Sequence, residues 1–297
     1  MTHTLAILGA GVMGAGIATL AIGRGVPVIL VDLDEDVLTA ARERVDQQLR
    51  LGRLMGRLPR EVEAAGLVTS TDLAAIAPAT AVVESVTEHP DRKVRVLTQV
   101  SGVVAPGTPI VTNTSAVPVD ELAEALARPA DFLGVHFMNP PYLVEMVEVV
   151  RGPRTGDAAL VVVLDLLTLL GKKTVVVGDG PGFVINRVLQ RMINEAARIV
   201  QDGVAAPAEV DALFTGCLGH TTGPLGTADL IGLDNVVDSL HVLLDRTGDE
   251  GYRPCELLVA KVKAGDHGRK TGRGFFEYSS GGPSSVGRNA VEHGGAR

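Results

Sequence analysis

The sequence predicts an α/β domain built on a mostly parallel sheet, followed by an all-helical domain. Short apolar runs, such as residues 5–8 and 26–31, alternate with stretches whose apolar residues recur at helical spacing. After residue 180 the short runs stop and only helical patterns follow. This alternation is typical of βαβ units, whose sheet is covered by helices on both faces.

The predicted elements follow one another in a regular order. Strands are predicted at residues 5–8, 26–31, 81–84, 110–113, 132–137, 144–150 and 173–177, and the main intervening helices at 13–24, 35–57 and 91–103. The turn-forming sequence GDGPG separates this first domain, residues 1–180, from a helical domain at residues 181–280. Helices of the second domain are predicted at residues 183–201, 208–218, 227–246 and 254–264. A tail rich in Gly and Ser, residues 281–297, is predicted to be disordered.

Composition excludes several classes of protein. The 297 residues include 27 Lys and Arg against 35 Asp and Glu, and this net charge of −8 argues against a nucleic-acid partner. Cys217 and Cys255 are the only cysteines, which excludes a disulfide framework. The longest apolar stretch, residues 160–170, is too short to span a bilayer and contains Asp165. Because the first residues lack the features of a signal peptide, we predict a cytoplasmic protein with no membrane partner.

A glycine-rich loop after the first strand is the clearest binding motif. The loop GAGVMG supplies the candidate cofactor-binding residues Gly9, Gly11, Val12, Met13 and Gly14. Its three glycines permit a tight turn, a close approach of a pyrophosphate and packing of the helix on the strand. The next strand ends at Asp32, whose carboxylate would bind both adenine-ribose hydroxyls and repel a 2′-phosphate. The pattern predicts a Rossmann-type domain that binds NAD rather than NADP; FAD uses the same fingerprint, but nothing later in the chain indicates flavin chemistry.

His136 is a candidate general base. It lies at the end of a predicted strand, and Glu145 and Glu148 lie on the next strand-like segment. Because side chains alternate along a strand, only one of these two glutamates can face the same side as His136. A carboxylate behind an imidazole fixes its tautomer and stabilises the imidazolium. Spacing alone does not choose between the two glutamates, and a structural histidine is the alternative interpretation.

Several segments together resemble the L-3-hydroxyacyl-CoA dehydrogenase family over residues 4–278. The matching segments are GAGVMGAGIA, VVESVTE, NTS, GVHFMNPPYLVEMVEVV, PGFVINR and GRKTGRGFFEY. They occur in the family's order and spacing. The resemblance implies an NAD-dependent enzyme that interconverts an L-3-hydroxyacyl thioester and its 3-oxoacyl form, with NAD as the cofactor.

The resemblance also implies roles for individual residues. It assigns the carboxylate role to Glu148 and the base role to His136. It places Ser115 and Asn186 where the substrate hydroxyl or thioester carbonyl is bound. The remaining cofactor-binding candidates, which include positions near the nicotinamide and its ribose, are Glu88, Lys93, Asn113 and Asn139.

Three departures from the family pattern bear on the substrate. Ala116 replaces a second Ser, Pro141 and Tyr142 follow the HFMNP sequence, and the insertion after the second strand carries Arg rather than Lys. The NPPY sequence resembles a branch that includes L-gulonate and carnitine dehydrogenases and carrier-protein-linked relatives. A short CoA-linked acyl group is the leading prediction. The alternatives are a carrier-protein-bound hydroxyacyl unit, such as glyceryl-ACP in polyketide extender-unit biosynthesis, and an L-gulonate- or carnitine-type hydroxy acid.

Arginines in that insertion are candidates for a remote anion site. Arg50, Arg53 and Arg57 are spaced to share one helical face. They would bind a phosphate of CoA or an acyl carrier protein, and a solvated face is the alternative. The histidines lack ligand spacing to the cysteines, so no metal site is predicted.

Two further expectations concern the whole molecule. We expect the active site in a cleft between the two domains and a homodimer through the helical domain. A non-enzymatic NAD-binding sensor or structural relative is the remaining alternative. It predicts NAD binding without turnover, whereas the set His136, Glu148, Ser115 and Asn186 favours catalysis.

Overall fold

The computed structural model describes residues 3–278, so the predicted tail at residues 281–297 lies outside the described residues. The chain divides into two compact units, one ending at Asn186 and the other beginning at Arg187. The division predicted from the sequence lies a few residues earlier, after residue 180, and stays a prediction. Within residues 3–278, no helix is long and apolar enough to cross a membrane.

The first unit contains a sheet of eight strands within the described residues. Its strands are β1 (Leu5–Leu8), β2 (Val28–Val31), β3 (Leu67–Ser70), β4 (Ala81–Glu84), β5 (Ile110–Thr112), β6 (Phe132–His136), β7 (Met146–Arg151) and β8 (Lys173–Gly178). Their order across the sheet is β3-β2-β1-β4-β5-β6-β7-β8. Strands β1 to β6 are parallel, β7 is antiparallel to β6, and β8 is parallel to β7. The predicted mostly parallel sheet is confirmed.

Helices cover both faces of the sheet. They are α1 (Val12–Gly23), α2 (Glu35–Leu54), α3 (Pro90–Val103), α4 (Val119–Ala123) and α5 (Asp157–Leu169). Leu5 and Ile7 of β1 enter the core under α1, α2 and α5, whereas Ala6 and Leu8 enter the core under α3 and α4. This alternation explains why the first strand is apolar at every position. Its carboxyl end is therefore fixed from both sides.

Two elements of the first unit differ from the prediction. Strand β3 was not predicted, because its sequence LVTS is short, partly polar and half-exposed at the sheet edge. The helix predicted over residues 35–57 ends at Leu54, followed by Gly56 with a φ of 67°. This prediction was wrong at its end, and Arg57 therefore lies beyond the helix instead of sharing a helical face with Arg50 and Arg53.

The second unit is helical, as predicted. Its helices are α6 (Ile185–Gln201, whose first residues belong to the first unit), α7 (Pro207–Leu218), α8 (Pro224–Ile231), α9 (Leu233–Thr247) and α10 (Glu256–Lys263). The single helix predicted over residues 227–246 is wrong, because Gly232, with a φ of 101°, separates α8 from α9. Buried Asp229 accepts hydrogen bonds from the N–H groups of Phe275 and Phe276 and from the Tyr278 hydroxyl, each at 2.9 Å. These bonds hold the last described segment against α8.

Candidate active site

The glycine loop between β1 and α1 is shaped for a phosphate group. Gly9 has a φ of 92°, and a Cβ there would lie 2.6 Å from the Ser85 carbonyl oxygen. A Cβ on Gly14 would lie 1.8 Å from the Gly9 carbonyl oxygen, so the helix can approach the strand only with glycine there. A Cβ on Gly11 would meet nothing within 4 Å. The loop therefore leaves open space in front of the helix N-terminus.

The start of α1 and the end of β2 complete the features expected of a dinucleotide site. Gly11 precedes α1 and provides no side-chain cap, so the first helical N–H groups, beginning at Val12 and Met13, are available to an anion. Asp32 follows β2, and its Oδ2 accepts a hydrogen bond from the Ala10 N–H at 2.7 Å. This bond fixes the carboxylate beside the loop. The residues present fit the adenosine and pyrophosphate parts of NAD.

His136 and Glu148 form a buried pair at the end of β6. The antiparallel register places the two residues directly opposite each other. Nδ1 of His136 lies 2.7 Å from Oε2 of Glu148, and the two residues are only 7% and 6% exposed. Burial alone would raise the pKa of Glu148, but the hydrogen bonds from His136 and from two backbone N–H groups lower it. The carboxylate therefore stays ionised behind the imidazole.

A turn before α6 supplies those two N–H groups. Gly182 and Phe183 adopt positive φ values of 69° and 50°. This turn directs the N–H groups of Val184 and Ile185 to Oε1 of Glu148, each at 3.0 Å. The sequence predicts a turn at GDGPG, which includes Gly182, but not its contact with Glu148.

Glu145 occupies a different environment from Glu148. Its carboxylate lies 2.9 Å from the Lys173 Nζ and 3.4 Å from the Arg57 guanidinium, and its side chain is 52% exposed. Of the two glutamates that the spacing left open, only Glu148 contacts His136. Glu148 lies within β7, whereas Glu145 immediately precedes this strand.

A second ionic cluster lies at the ends of β4 and α3. Lys93 is fully buried, with its Nζ 2.9 Å from Glu84 and 3.0 Å from Glu88. Burial alone would lower the pKa of Lys93, but attraction to the two carboxylates raises it. Burial would likewise raise the pKa of Glu88, and the charge of Lys93 together with neighbouring hydrogen bonds lowers it. Glu84 also accepts a hydrogen bond from the Thr112 hydroxyl at 2.7 Å.

Glu88 connects this cluster to the loop that carries Ser115. It accepts hydrogen bonds from the Thr114 hydroxyl and from the N–H groups of Ser115, at 2.9 Å, and Ala116, at 3.2 Å. On the same loop, the Ser115 carbonyl accepts a hydrogen bond from the Asn186 side chain at 2.9 Å. Ser115 is thus held by its backbone, and its hydroxyl makes no hydrogen bond within the described residues.

The remaining predicted site residues fall into two groups. Asn113 follows β5 and accepts a hydrogen bond from the Phe137 N–H at 3.0 Å, which ties β5 to the end of β6. Asn139 lies in the segment between β6 and β7. The three arginines differ in their contacts: Arg53 donates to the Val62 carbonyl at 3.0 Å, Arg57 contacts Glu145, and Arg50 is exposed.

The sheet edge brings a phosphate-binding loop, an acidic ribose partner and a histidine–carboxylate pair to one side of a Rossmann-type fold. This combination defines a dinucleotide-dependent dehydrogenase.

Comparisons with known proteins identify the family. The model of the 3-hydroxyacyl-CoA dehydrogenase NAD-binding domain matches residues 4–180, and the model of the C-terminal domain of that family matches residues 182–278. The chain therefore belongs to the 3-hydroxyacyl-CoA dehydrogenase family and is an NAD-dependent dehydrogenase acting on a CH–OH group. The expected family, enzyme class and cofactor are confirmed.

Individual relatives cover nearly the whole chain. A probable 3-hydroxybutyryl-CoA dehydrogenase of Deinococcus radiodurans is 38% identical over 92% of this chain and 99% of its own length. A probable 3-hydroxybutyryl-CoA dehydrogenase of Bacillus subtilis is also 38% identical, over 92% of this chain and 96% of its own length. Among solved structures, the (S)-3-hydroxybutyryl-CoA dehydrogenase of Ralstonia eutropha superimposes with a TM-score of 0.87 at 36% identity, covering 94% of this chain and 100% of that one.

Proposed function

We propose that this protein interconverts a short L-3-hydroxyacyl-CoA and its 3-oxoacyl form. The observation that carries this proposal is the buried His136–Glu148 pair, on the same sheet edge as the glycine loop. The three relatives named above are 3-hydroxybutyryl-CoA dehydrogenases, which favours a short acyl group joined to CoA.

His136 is proposed to act as the general base for oxidation. Because its Nδ1 faces Glu148, the neutral ring carries its proton on Nδ1 and its lone pair on Nε2. Nε2 accepts the proton of the substrate 3-hydroxyl while the C3–H bond breaks with its electron pair. Bound NAD supplies the acceptor for that hydride. The carbon is left as a 3-oxo group, and Glu148 stabilises the imidazolium that His136 becomes.

Ser115 and Asn186 are proposed to position the substrate. The Ser115 backbone is fixed by Glu88 and by Asn186, so its hydroxyl starts from a defined position. One N–H of the Asn186 amide is used on Ser115, and the amide keeps a second donor. These two groups are the candidates to bind the 3-oxygen or the thioester carbonyl.

The carrier of the acyl group is tested by a substrate panel. We expect activity with acetoacetyl-CoA and NADH, and much lower kcat/KM with the same acyl group on an acyl carrier protein or with L-gulonate and NAD. Higher kcat/KM for the carrier-protein substrate would favour the extender-unit alternative. Higher kcat/KM for L-gulonate would favour the hydroxy-acid alternative, and NAD binding without turnover of any substrate would favour a sensor.

The three arginines remain candidates for contact with the carrier. Replacing Arg50, Arg53 and Arg57 together by Gln is expected to raise KM for acetoacetyl-CoA. It should leave a truncated acetoacetyl thioester unaffected, because only remote binding energy is removed. Unchanged KM for both substrates would assign these residues to a solvated surface.

A homodimer through the helical unit is proposed as well. Large apolar side chains of this unit are more than half exposed, at Leu213 (60%) and Leu218 (65%) of α7 and at Leu230 (59%) of α8. Such side chains are commonly covered in an assembly. Sedimentation equilibrium is expected to give a dimer, and replacement of Leu213 and Leu218 by Gln should shift it toward monomer. The cytoplasmic location predicted from the sequence stays a prediction.

A further inference from the structure

A small cavity lies in the first unit, on the face of the sheet opposite to His136. It has a volume of about 120 Å³. Its walls come from the ends of α1 and α2, the segment before β7 and the turn between α5 and β8. Apolar lining from Leu20, Tyr142 and Leu170 belongs to the core under α1, α2 and α5. His136 faces the other core, because Val135 and Phe137 on either side of it point into this one.

The charges around the cavity are strongly unbalanced. Arg24, Arg57 and Lys172 line it, and Glu145 is the only acidic residue among the lining residues. Glu145 is also shared with Lys173 at 2.9 Å and lies 3.4 Å from Arg57. Arg24 and Lys172 therefore have no carboxylate of the lining within ion-pair distance.

Arg24 is the most unusual of these residues. Its guanidinium lies over Gly171, where an added Cβ would come 2.7 Å from Cζ. Its Nε is buried and has no hydrogen-bond partner within the described residues. A buried guanidinium N–H without an acceptor is costly, so an acceptor supplied by a ligand would stabilise this arrangement.

Lys172 is only partly compensated. Its ammonium donates to the carbonyls of Pro141 and Val144, and no carboxylate lies within ion-pair distance among the described residues. Burial lowers the pKa of Lys172 to about 8, the positive charge of Arg24 adds to this effect, and the negative charge of Glu145 opposes it in part. An ammonium has three donors, and one of the three has no partner in the described part of the chain.

We propose that this cavity binds a phosphate-sized dianion, held by Arg24, Arg57 and Lys172. A tetrahedral oxyanion has only five heavy atoms, and its oxygens accept the hydrogen bonds that Arg24 and Lys172 leave unused. The dianion is either free phosphate or the phosphate of a larger ligand. Because Lys172 holds the carbonyls of Pro141 and Val144, binding also steadies the segment that joins β6 to β7.

Thermal unfolding in inorganic phosphate tests this site without reference to the proposed reaction. At equal ionic strength, replacing chloride by phosphate is expected to raise Tm by roughly 2–4 °C. In Arg24→Gln the phosphate titration should give a Kd at least ~10-fold higher, since a charge-assisted contact is removed. Arg95→Gln, at an exposed arginine of α3 on the face of the sheet opposite the cavity, serves as the control. Phosphate should raise its Tm as much as that of wild type. Arg57→Gln provides a second variant if Arg24→Gln does not fold.

Steady-state kinetics distinguish the two sources of the phosphate. This second experiment rests on the proposed function. If the phosphate belongs to CoA, inorganic phosphate competes with acetoacetyl-CoA, and Arg24→Gln raises KM for it but not for a truncated thioester. If the phosphate is free, Arg24→Gln leaves KM for both substrates unchanged while the thermal effect is lost. Equal phosphate stabilisation of wild type and Arg24→Gln, together with unchanged KM, would overturn the site. Loss of all turnover with retained phosphate stabilisation would count against the proposed reaction alone.

Discussion

Two buried ionic groups occur at the carboxyl edge of the sheet, and they are built differently. In the His136–Glu148 pair the carboxylate is fully engaged, but Nε2 of the imidazole makes no hydrogen bond within the described residues. In the cluster of Lys93 with Glu84 and Glu88, the ammonium contacts both carboxylates and has no exposed surface.

This difference separates a group that can react from a group that holds structure. The free Nε2 of His136 can accept a proton, and the carboxylate behind it makes that favourable. Lys93 has no donor left for a ligand, so it is expected to act through Glu88, which positions the Ser115 loop. Variants of the His136–Glu148 pair should therefore lower turnover, whereas variants of the Lys93 cluster should lower stability.

The largest expected effect is on turnover, at His136. Removing a positioned general base lowers rates by ~10² to 10⁴. In His136→Ala, kcat should fall by this amount while NAD affinity stays near wild type, measured by steady-state kinetics and calorimetric titration. His241→Ala, at an exposed histidine of α9, is the control, and its kcat and NAD affinity should stay near those of wild type. A kcat for His136→Ala within a few-fold of wild type would exclude the base role.

The next effect is on stability, at Lys93. In Lys93→Met, two carboxylates lose their buried cation, and breaking a buried pair costs about 3–5 kcal/mol. The matched control is Lys173→Met, which removes a lysine that is 70% exposed from its pair with Glu145. Such an exposed pair contributes little, because solvent screens its charges. Urea unfolding measures both variants, and equal losses would show that the cluster does not stabilise the fold as a buried ion pair.

Glu148 and Glu145 form a matched pair for the orientation of His136. In Glu148→Gln the amide cannot stabilise an imidazolium, so kcat should fall on the order of 10². Glu145→Gln, which changes only the exposed ion pairs with Lys173 and Arg57, should keep kcat within a factor of about two. If Glu145→Gln proved the more damaging variant, the carboxylate behind the active base would not be Glu148.

Some parts of the candidate site can be predicted from the sequence and others cannot, for physical reasons. The glycine loop and Asp32 are local in the chain, so spacing alone indicates their function. The choice between Glu145 and Glu148 depends on strand pairing, and the residues left it open until the register of β6 with β7 was known. The family resemblance assigned it to Glu148.

Contacts between distant segments were not visible in the sequence. The N–H groups of Val184 and Ile185 reach Glu148 from 36 and 37 residues away, through a turn with two positive φ values. The predicted common helical face of Arg50, Arg53 and Arg57 requires a helix that extends to residue 57. Since α2 ends at Leu54, Arg57 points instead to Glu145, in the wall of the cavity with Arg24.

Cofactor choice at Asp32 should show a smaller effect. A 2′-phosphate beside its carboxylate meets like-charge repulsion, so NAD is expected to bind at least ~10-fold better than NADP, about 1.4 kcal/mol. Asp32→Ala should lower the ratio of NAD affinity to NADP affinity, chiefly by weakening the binding of NAD. Asp46→Ala, at an exposed carboxylate of α2, should leave it unchanged. Titration of both cofactors measures the ratio, and equal affinity of the wild type for the two would contradict the role of Asp32.

The smallest effect is expected in the pH dependence of stability, and it again concerns the carboxylate of the reactive pair. The pKa of Glu148 is lowered in the folded state because hydrogen bonds to its charged form outweigh the cost of burial. Below the unfolded-state pKa of about 4.5, the unfolded chain binds more protons than the folded chain, so stability falls as the pH falls through the folded-state pKa. Above that window the contribution to stability is fully present.

Glu148→Gln removes this contribution, so the free energy of unfolding of this variant should depend less on pH under acidic conditions. Urea unfolding at several pH values between 3 and 7 should show that the free energies of unfolding of wild type and Glu148→Gln differ most at neutral pH and converge toward acid pH. For Glu43→Gln, at an exposed position of α2, the free energy of unfolding should depend on pH as it does for wild type over the same range. If the difference between Glu148→Gln and wild type were the same at every pH, the ionised carboxylate would contribute nothing specific to the folded state.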